Sequence, residues 1–277
     1  MKLPYILNPI YRLARRSVFE SVKPTLRGRY NQFNKYATYQ RDDIFTALDI
    51  EINSACNIKC AYCPVCKHDR GEHYMPEKLF CKIIDDLAAF PFEYQGRISP
   101  HFFNEPLLDQ RIDKLMSYVK KKLPKAQIII HTNGIILTNK KIAQLIDLGV
   151  DGFIVTDHVK SVLSRLNKDI RKLEKKYRQK VFFQSLKNTH LFNRAGSVEI
   201  DKPKLMNTCF YLSDEIAIDY QGRVVCTNDF FVEHPFGDLN KKSLQEIWWD
   251  KKFIQIRNNL KKGKIDLAIC KKCLRKN

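Results

Sequence analysis

The sequence predicts an open, partial parallel β/α barrel followed by a small C-terminal α+β region. Three observations carry this. From Thr46 onward, strand-like and helix-like segments alternate. That alternation yields five or six units, short of the eight that close a barrel. Near Ser197 it gives way to a hairpin and a helix, and the chain's cysteines divide into one group on each side of that change.

Taken in order, Ala47 to Asn53 alternates apolar and polar residues with the period of a strand. Pro76 to Phe90 reads as a helix, entered at Pro76 and stopped by Pro91. Arg97 to Phe103 is a second strand, and Asp109 to Lys122 a helix that ends before Pro124. Gln127 to His131 is a short run of isoleucines, hence a buried strand. Thr138 to Leu148 is a helix capped by Thr138 and closed at Gly149. Phe153 to Thr156, Lys160 to Lys180 and Val181 to Ser185 continue as strand, helix and strand. Glu215 to Asp219 and Arg223 to Thr227 flank Tyr220-Gln221-Gly222 as a hairpin, with glycine supplying a positive φ. Ser243 to Leu260 is a helix opened by a Ser243/Glu246 capping box. These boundaries divide the chain into residues 1–45, 46–196 and 197–277.

At 277 residues and 44% hydrophobic, the chain can bury a sizeable core. No apolar run approaches the roughly eighteen residues of a membrane helix. Pro4 and Pro9 interrupt the short apolar start, so no signal peptide is expected, and the expected location is the cytoplasm. The net charge of +19 admits nucleic acid, an anionic surface or an anionic substrate as partner. Most lysines fall in short runs at helix ends and on helix faces, where they solvate the surface, so nucleic acid is the less favoured partner. Residues 1–45 are basic and aromatic, with Tyr5, Tyr11, Phe19, Tyr30, Phe33 and Tyr36. They read either as a contact arm or as a strap along the outside of the main domain.

The nine cysteines stand at 56, 60, 63, 66 and 81, then at 209, 226, 270 and 273. In a reducing compartment such grouping means metal ligands or redox groups rather than disulfides. Cys56-Asn-Ile-Lys-Cys60-Ala-Tyr62-Cys63 follows directly on the first strand. Three close thiolates suit three corners of a cubane iron–sulfur cluster whose fourth iron stays open. The competing reading is zinc, because Cys63 and Cys66 also form a Cys-x-x-Cys pair.

The Cys-x-x-x-Cys-x-x-Cys spacing, with an aromatic residue before the third cysteine, resembles the radical S-adenosylmethionine superfamily. The resemblance runs from about Thr46 to Cys273. It implies a [4Fe-4S] cluster held by Cys56, Cys60 and Cys63, with S-adenosylmethionine on the open iron, giving a 5′-deoxyadenosyl radical that removes hydrogen from carbon. Phe103-Asn104-Glu105-Pro106 is similar to the Gly-Gly-Glu-Pro segment that receives the cofactor's amino group, although both glycines are absent. His131-Thr132-Asn133-Gly134 ends the third strand, similar to the Thr-Asn-Gly often found there, Thr156-Asp157 ends the fourth, where polar groups for the ribose are implied, and Tyr62 matches the aromatic beside the adenine.

Cys209, Cys226, Cys270 and Cys273 supply four thiolates, which close a site completely. With Gly222 and the helix between them they resemble the Twitch form of the SPASM/Twitch auxiliary domain, which implies a second [4Fe-4S] cluster able to accept an electron from a substrate radical. The alternative is a purely structural cluster or zinc ribbon. Arg194, between the two regions, is a candidate for a substrate hydroxyl, carboxylate or phosphate. Cys81 is expected to be a buried core thiol. Cys66 is either inert or a hydrogen donor to a substrate radical.

The expected function is oxidation of a small polar metabolite of sugar or cyclitol type, with a flavodoxin- or ferredoxin-type electron donor. The alternatives are a radical peptide modifier or epimerase and, from another class, a nucleic-acid-binding zinc protein.

Overall fold

A computed structural model of the chain describes residues 24–186, 191–199 and 207–274. Residues 1–23, with Tyr5, Tyr11 and Phe19, lie outside the described residues, as do the last three. The first described element is α1 (Pro24–Tyr39). The barrel then runs β1 (Ala47–Ile50), α2 (Glu77–Ala88), β2 (Arg97–Ser99), α3 (Ile112–Lys122), β3 (Gln127–Thr132), α4 (Asn139–Asp147), β4 (Gly152–Thr156), α5 (Lys160–Ile170), α6 (Lys175–Arg178) and β5 (Val181–Gln184). The C-terminal part adds α7 (Tyr211–Asp214), β6 (Glu215–Ile218), β7 (Arg223–Val225), β8 (Gly237–Asp238), α8 (Leu244–Trp248), α9 (Lys251–Lys261) and α10 (Ala268–Leu274).

One sheet runs through both regions, in the order β5-β4-β3-β2-β1-β6-β7-β8. Strands β1 to β5 are parallel neighbours, each crossover carrying a helix. Strand β6 pairs in parallel with the other edge of β1, Leu48 opposite Ile216, and β7 and β8 follow antiparallel. The sheet does not close, as the count of units predicts.

The alternation along each strand separates two faces. Leu48, Ile50, Ile98, Ile128, Ile130, Phe153, Val155, Ile216 and Ile218 belong to one core cluster that includes Phe80, Ile84, Leu115, Met116 and Val119 of the covering helices. Asp49, Glu51 and Asn53, and Ser99 opposite Asp49, point to the other face, the inside of the barrel.

Several local expectations hold. Thr138 caps α4 by accepting from Lys141 N, Ser243 and Glu246 form the capping box of α8, and Gly222 turns the hairpin at φ 87°. A Cβ at Gly222 would stand 2.9 Å from a Leu79 methyl, so packing and backbone both demand glycine.

Other expectations are corrected. The second strand stops at Ser99, because Pro100 brings no N–H to the ladder. The helix expected from Asp109 starts at Ile112, Asp109 instead accepting from Arg111 N at 2.9 Å. The helix expected over Lys160 to Lys180 breaks after Ile170 and resumes at Lys175, which lets Tyr177 turn inward and donate to Asp147. The helix expected over Ser243 to Leu260 is two, because Asp250 caps α9 through Lys252 N and Phe253 N. Both indoles clamp Asp43: Trp248 Nε1 donates to its carbonyl at 2.6 Å and Trp249 Nε1 to its carboxylate at 3.0 Å. Cys81 is half-buried rather than in the core, in a groove with Glu77, Lys114 and Tyr118.

Helix α1 is a strap against the C-terminal half of the chain. Lys35, 1% exposed, pairs with Asp214 at 2.6 Å and donates to the Ser213 carbonyl, and Asn31 donates to the same Asp214 carboxylate. Among the described residues, no helix is long and apolar enough to cross a membrane.

Candidate functional site

Beyond β1 the chain passes Asn53 into the loop that carries Cys56, Cys60 and Cys63. Two tight turns draw the last cysteines together: Cys63 N donates to Cys60 O at 2.9 Å, and Cys66 N to Cys63 O at 3.1 Å. All three thiols are half-buried and close enough to act on one another's charge. Burial pushes Cys56 up to about 11 and raises Cys60 and Cys63. Desolvated neighbouring thiols are costly to ionise one by one, and a metal group that takes them as thiolates relieves that cost. Cys66 stays in this neighbourhood, acting electrostatically on Cys60 and Cys63.

The loop is anchored by groups that spacing did not reveal. Glu51, fully buried, accepts from Arg70 Nη1 at 3.1 Å and a second time from Nη2, and also from the backbone of Phe103 at 3.2 Å and of Tyr220 at 3.4 Å. Arg70 lies at the far end of the loop, its guanidinium 4.9 Å from the Phe230 ring. One ion pair thus joins β1, the cysteine loop, the end of β2 and the hairpin. Ser54 seals the loop base by donating to Gly71 O at 2.7 Å and accepting from His73 N at 2.9 Å. The alternation Asp49-Ile50-Glu51-Ile52-Asn53 carried the signal of an inward polar face, but not its partners.

The residues expected at the cofactor divide into two kinds. Glu105, 1% exposed, accepts from Leu107 N, Thr132 Oγ1 and Asn133 N. With Pro106 buried beside it, Glu105 locks the end of β2 to the end of β3. Thr132 is occupied in that lock and also accepts from Gly134 N. Asn133 donates through its amide to Asn57 of the cysteine loop at 2.7 Å. Asn104 folds back, accepting from Phe102 N at 2.8 Å. Thr156 and Asp157 end β4 half-buried, and Asp157 N is held by Gln184 O at 2.9 Å. The Tyr62 hydroxyl meets Nδ1 of His158, a residue the sequence reading missed, and the two rings stack at 5.8 Å. His158 Nδ1 is also 3.6 Å from Cys60 Sγ, and burial lowers this imidazole's basicity.

Cys209, Cys226, Cys270 and Cys273 line a single apolar pocket, with Phe236 and Leu260 among its walls. Burial raises Cys209 to about 11, Cys270 to about 12 and Cys226 well above the usual thiol range. Among the described residues, no three His, Cys, Asp or Glu side chains converge as one metal ion requires. A cubane spreads its thiolates over separate irons, and four thiols on one apolar wall are the donor set it needs.

Between the two cysteine groups the barrel interior is polar. Arg97 Nη1 donates to Asp49 at 2.7 Å and to Ser99 at 2.6 Å. His101 Nδ1 lies 3.7 Å from Asp49 and has no hydrogen-bond partner among the described residues, although the His101 side chain keeps 23% of its surface open. Its ring stacks on His131 at 4.2 Å. Burial drives His101 down to about 4, against the pull of Asp49, so the imidazole is neutral. Arg194 completes the ring of polar groups: it lies 5.3 Å over Phe103 and donates to Asn228 Oδ1 at 3.0 Å and Thr227 O at 3.4 Å.

The SPASM iron–sulfur cluster-binding domain matches residues 209–274. The S-adenosyl-L-methionine-dependent 2-deoxy-scyllo-inosamine dehydrogenase of Niallia circulans is 32% identical over 239 residues, 84% of this chain and 94% of that protein. The crystal structure of BtrN in complex with AdoMet and 2-DOIA superposes with a TM-score of 0.74 at 30% identity, covering 82% of this chain and 92% of that one. BtrN in an open conformation gives 0.65 at 30% identity, over 85% and 94%. These matches make the chain an iron–sulfur oxidoreductase with [4Fe-4S] clusters and S-adenosylmethionine, and they remove the reading as a zinc protein without catalysis.

Proposed function

Since the chain belongs to the radical S-adenosylmethionine family, in its SPASM/Twitch subgroup, we propose that it oxidises one hydroxyl of a sugar- or cyclitol-type alcohol to a carbonyl. The second electron then passes to an auxiliary [4Fe-4S] cluster on Cys209, Cys226, Cys270 and Cys273. The observation that carries this reading is the hydrogen-bonding floor of Asp49, Arg97, Ser99 and His101 inside the barrel, beside both cysteine groups. A polyhydroxylated substrate offers a donor and an acceptor at each oxygen, which suits a carboxylate next to a neutral imidazole. The N. circulans relative, named for a cyclitol dehydrogenase activity, supports the same substrate class.

When bound at Cys56, Cys60 and Cys63, the first cluster with S-adenosylmethionine supplies the radical that takes hydrogen from carbon. The chain's residues do the rest. Tyr62, with His158 behind it, offers a flat face to the adenine, and Asn104, Thr156 and Asp157 offer polar atoms at the strand ends. Glu105, Pro106, Thr132 and Asn133 act from behind by holding the loops in register. The oxidation removes a hydrogen atom from carbon, a proton from oxygen and one electron. Asp49 and neutral His101 are acceptors for the proton, and Arg194 holds a substrate oxygen. Residues 46–196 form the radical barrel and 197–277 the auxiliary region, with α1 and the segment after it, residues 24–45, as a strap. A flavodoxin- or ferredoxin-type protein delivers the starting electron.

The test is a panel of cyclitols and aminocyclitols, including 2-deoxy-scyllo-inosamine, run anaerobically in deuterated water with the wild type and Cys66→Ala. Oxidation predicts a carbonyl product, one 5′-deoxyadenosine per product, and undiminished turnover in the variant. Solvent deuterium at the attacked carbon, with a dead Cys66→Ala enzyme, would establish an epimerase instead.

A further inference from the structure

The turn Arg194-Ala195-Gly196 is built against its own backbone preference. All three residues are left-handed, with φ of 48°, 54° and 88°, and two of them are not glycine. Such a conformation persists only where its surroundings over-determine it. The surroundings here are the auxiliary cysteines. Asn193 Nδ2 donates to Lys272 O at 3.0 Å, which docks the turn on α10 beside Cys273. Ala195 lines the auxiliary cavity, and its backbone N–H is directed at the Cys273 thiol. The same turn sends the Arg194 side chain to the segment just after Cys226, where Thr227 O and Asn228 Oδ1 accept from it. None of these acceptors is a carboxylate, and Asp49, a carboxylate within electrostatic range, is already paired with Arg97.

We propose that Arg194 sets the reduction potential of the auxiliary cluster, holding it high enough to take an electron from the substrate radical. Reduction adds one negative charge to a cluster that four thiolates already make anionic. A fixed cation beside it stabilises the reduced form more than the oxidised form and raises the potential. Guanidinium suits this role because it does not lose its proton in proteins, and Arg194 is half-buried, which limits screening by water. Arg194 lies within electrostatic range of Cys63 of the first cysteine group and of Cys273 and Cys226 of the second. The Ala195 N–H works in the same direction, because a hydrogen bond to a cluster sulfur favours the more negative state. This inference rests on the cluster at residues 209–273 and is independent of the substrate's identity.

The experiment isolates one cluster. In protein carrying Cys56→Ala, Cys60→Ala and Cys63→Ala, reconstituted anaerobically, the midpoint potential of the remaining cluster is measured by redox titration, without substrate. Arg194→Gln and Arg194→Met should each move it to a more negative value at unchanged iron content, and Arg194→Lys, which keeps the charge, should stay near the parent. An unchanged midpoint in the neutral variants, or a lysine variant as shifted as the glutamine one, overturns the proposal. Loss of the auxiliary iron from both neutral variants overturns it too, because Arg194 would then hold the cluster in place rather than tune it.

Discussion

Removing the Arg70 guanidinium tests how the cysteine loop is held. Glu51 is fully buried, and among the described residues its donors besides Arg70 are the Phe103 and Tyr220 backbone N–H groups, at 3.2 and 3.4 Å. Arg70→Met keeps the side chain's length against Phe230 but leaves a buried carboxylate without its counter-charge, a loss of about 3–5 kcal/mol. Pairing it with Glu51→Gln removes the stranded charge while keeping an acceptor for one backbone N–H, so the double variant should lose no more than about 2 kcal/mol. At roughly 2–4 °C per kcal/mol for a domain of this size class, the single variant should melt about 6–20 °C lower and the double should recover most of that. The pH dependence has a definite sign. Burial already raises Glu51 above the usual carboxylate range, and losing Arg70 raises it further. A group whose folded pKa is raised favours folding when protonated, so the deficit of Arg70→Met should narrow as pH falls from about 8 to 6. The assay is a thermal melt of anaerobically reconstituted protein, single and double variants side by side. A double variant as unstable as the two single losses added together would refute the pairing, as would an Arg70→Met protein that melts like the parent.

Two cubanes predict about eight iron and eight sulfide per chain, and the triple change of Cys56, Cys60 and Cys63 to Ala should halve both and abolish 5′-deoxyadenosine formation, as read by iron assay and chromatography. Cys226→Ala should still cleave S-adenosylmethionine in the absence of substrate while yielding no oxidised product, and full product yield without the auxiliary iron would make that cluster structural. His101, driven down to about 4 by burial, is neutral throughout the range from pH 6 to 9, so substrate KM should show no inflection near 6.5, whereas His101→Leu should raise KM by about tenfold, the equivalent of one lost hydrogen bond of ~1.4 kcal/mol.

Local sequence determined what local physics can express. The first three cysteines are written in one loop, so their chemistry is legible without a fold. The Ser243/Glu246 box, the Thr138 cap and the Gly222 turn each involve residues within four positions of one another. Period and length sufficed for a parallel sheet too short to close. The break at 171–174 had no proline or glycine to announce it, and it follows from Tyr177 reaching Asp147 across another crossover. Asp250 did carry a signal, an N-cap residue in mid-helix, but the pull of Trp248 and Trp249 toward Asp43, over 200 positions back, decided that the helix would break there. Pairing of β6 with β1 joins residues 168 positions apart, and the polar floor exists only because Asp49, Arg97 and His101 arrive there from two separate strand ends. Arg194 is the clearest case: nothing in Asn-Arg-Ala-Gly states that two non-glycine residues will turn left-handed. That conformation is unfavourable for the segment alone, and it is stabilised by contacts with Lys272, Cys273 and Asn228, which only the folded chain brings to it.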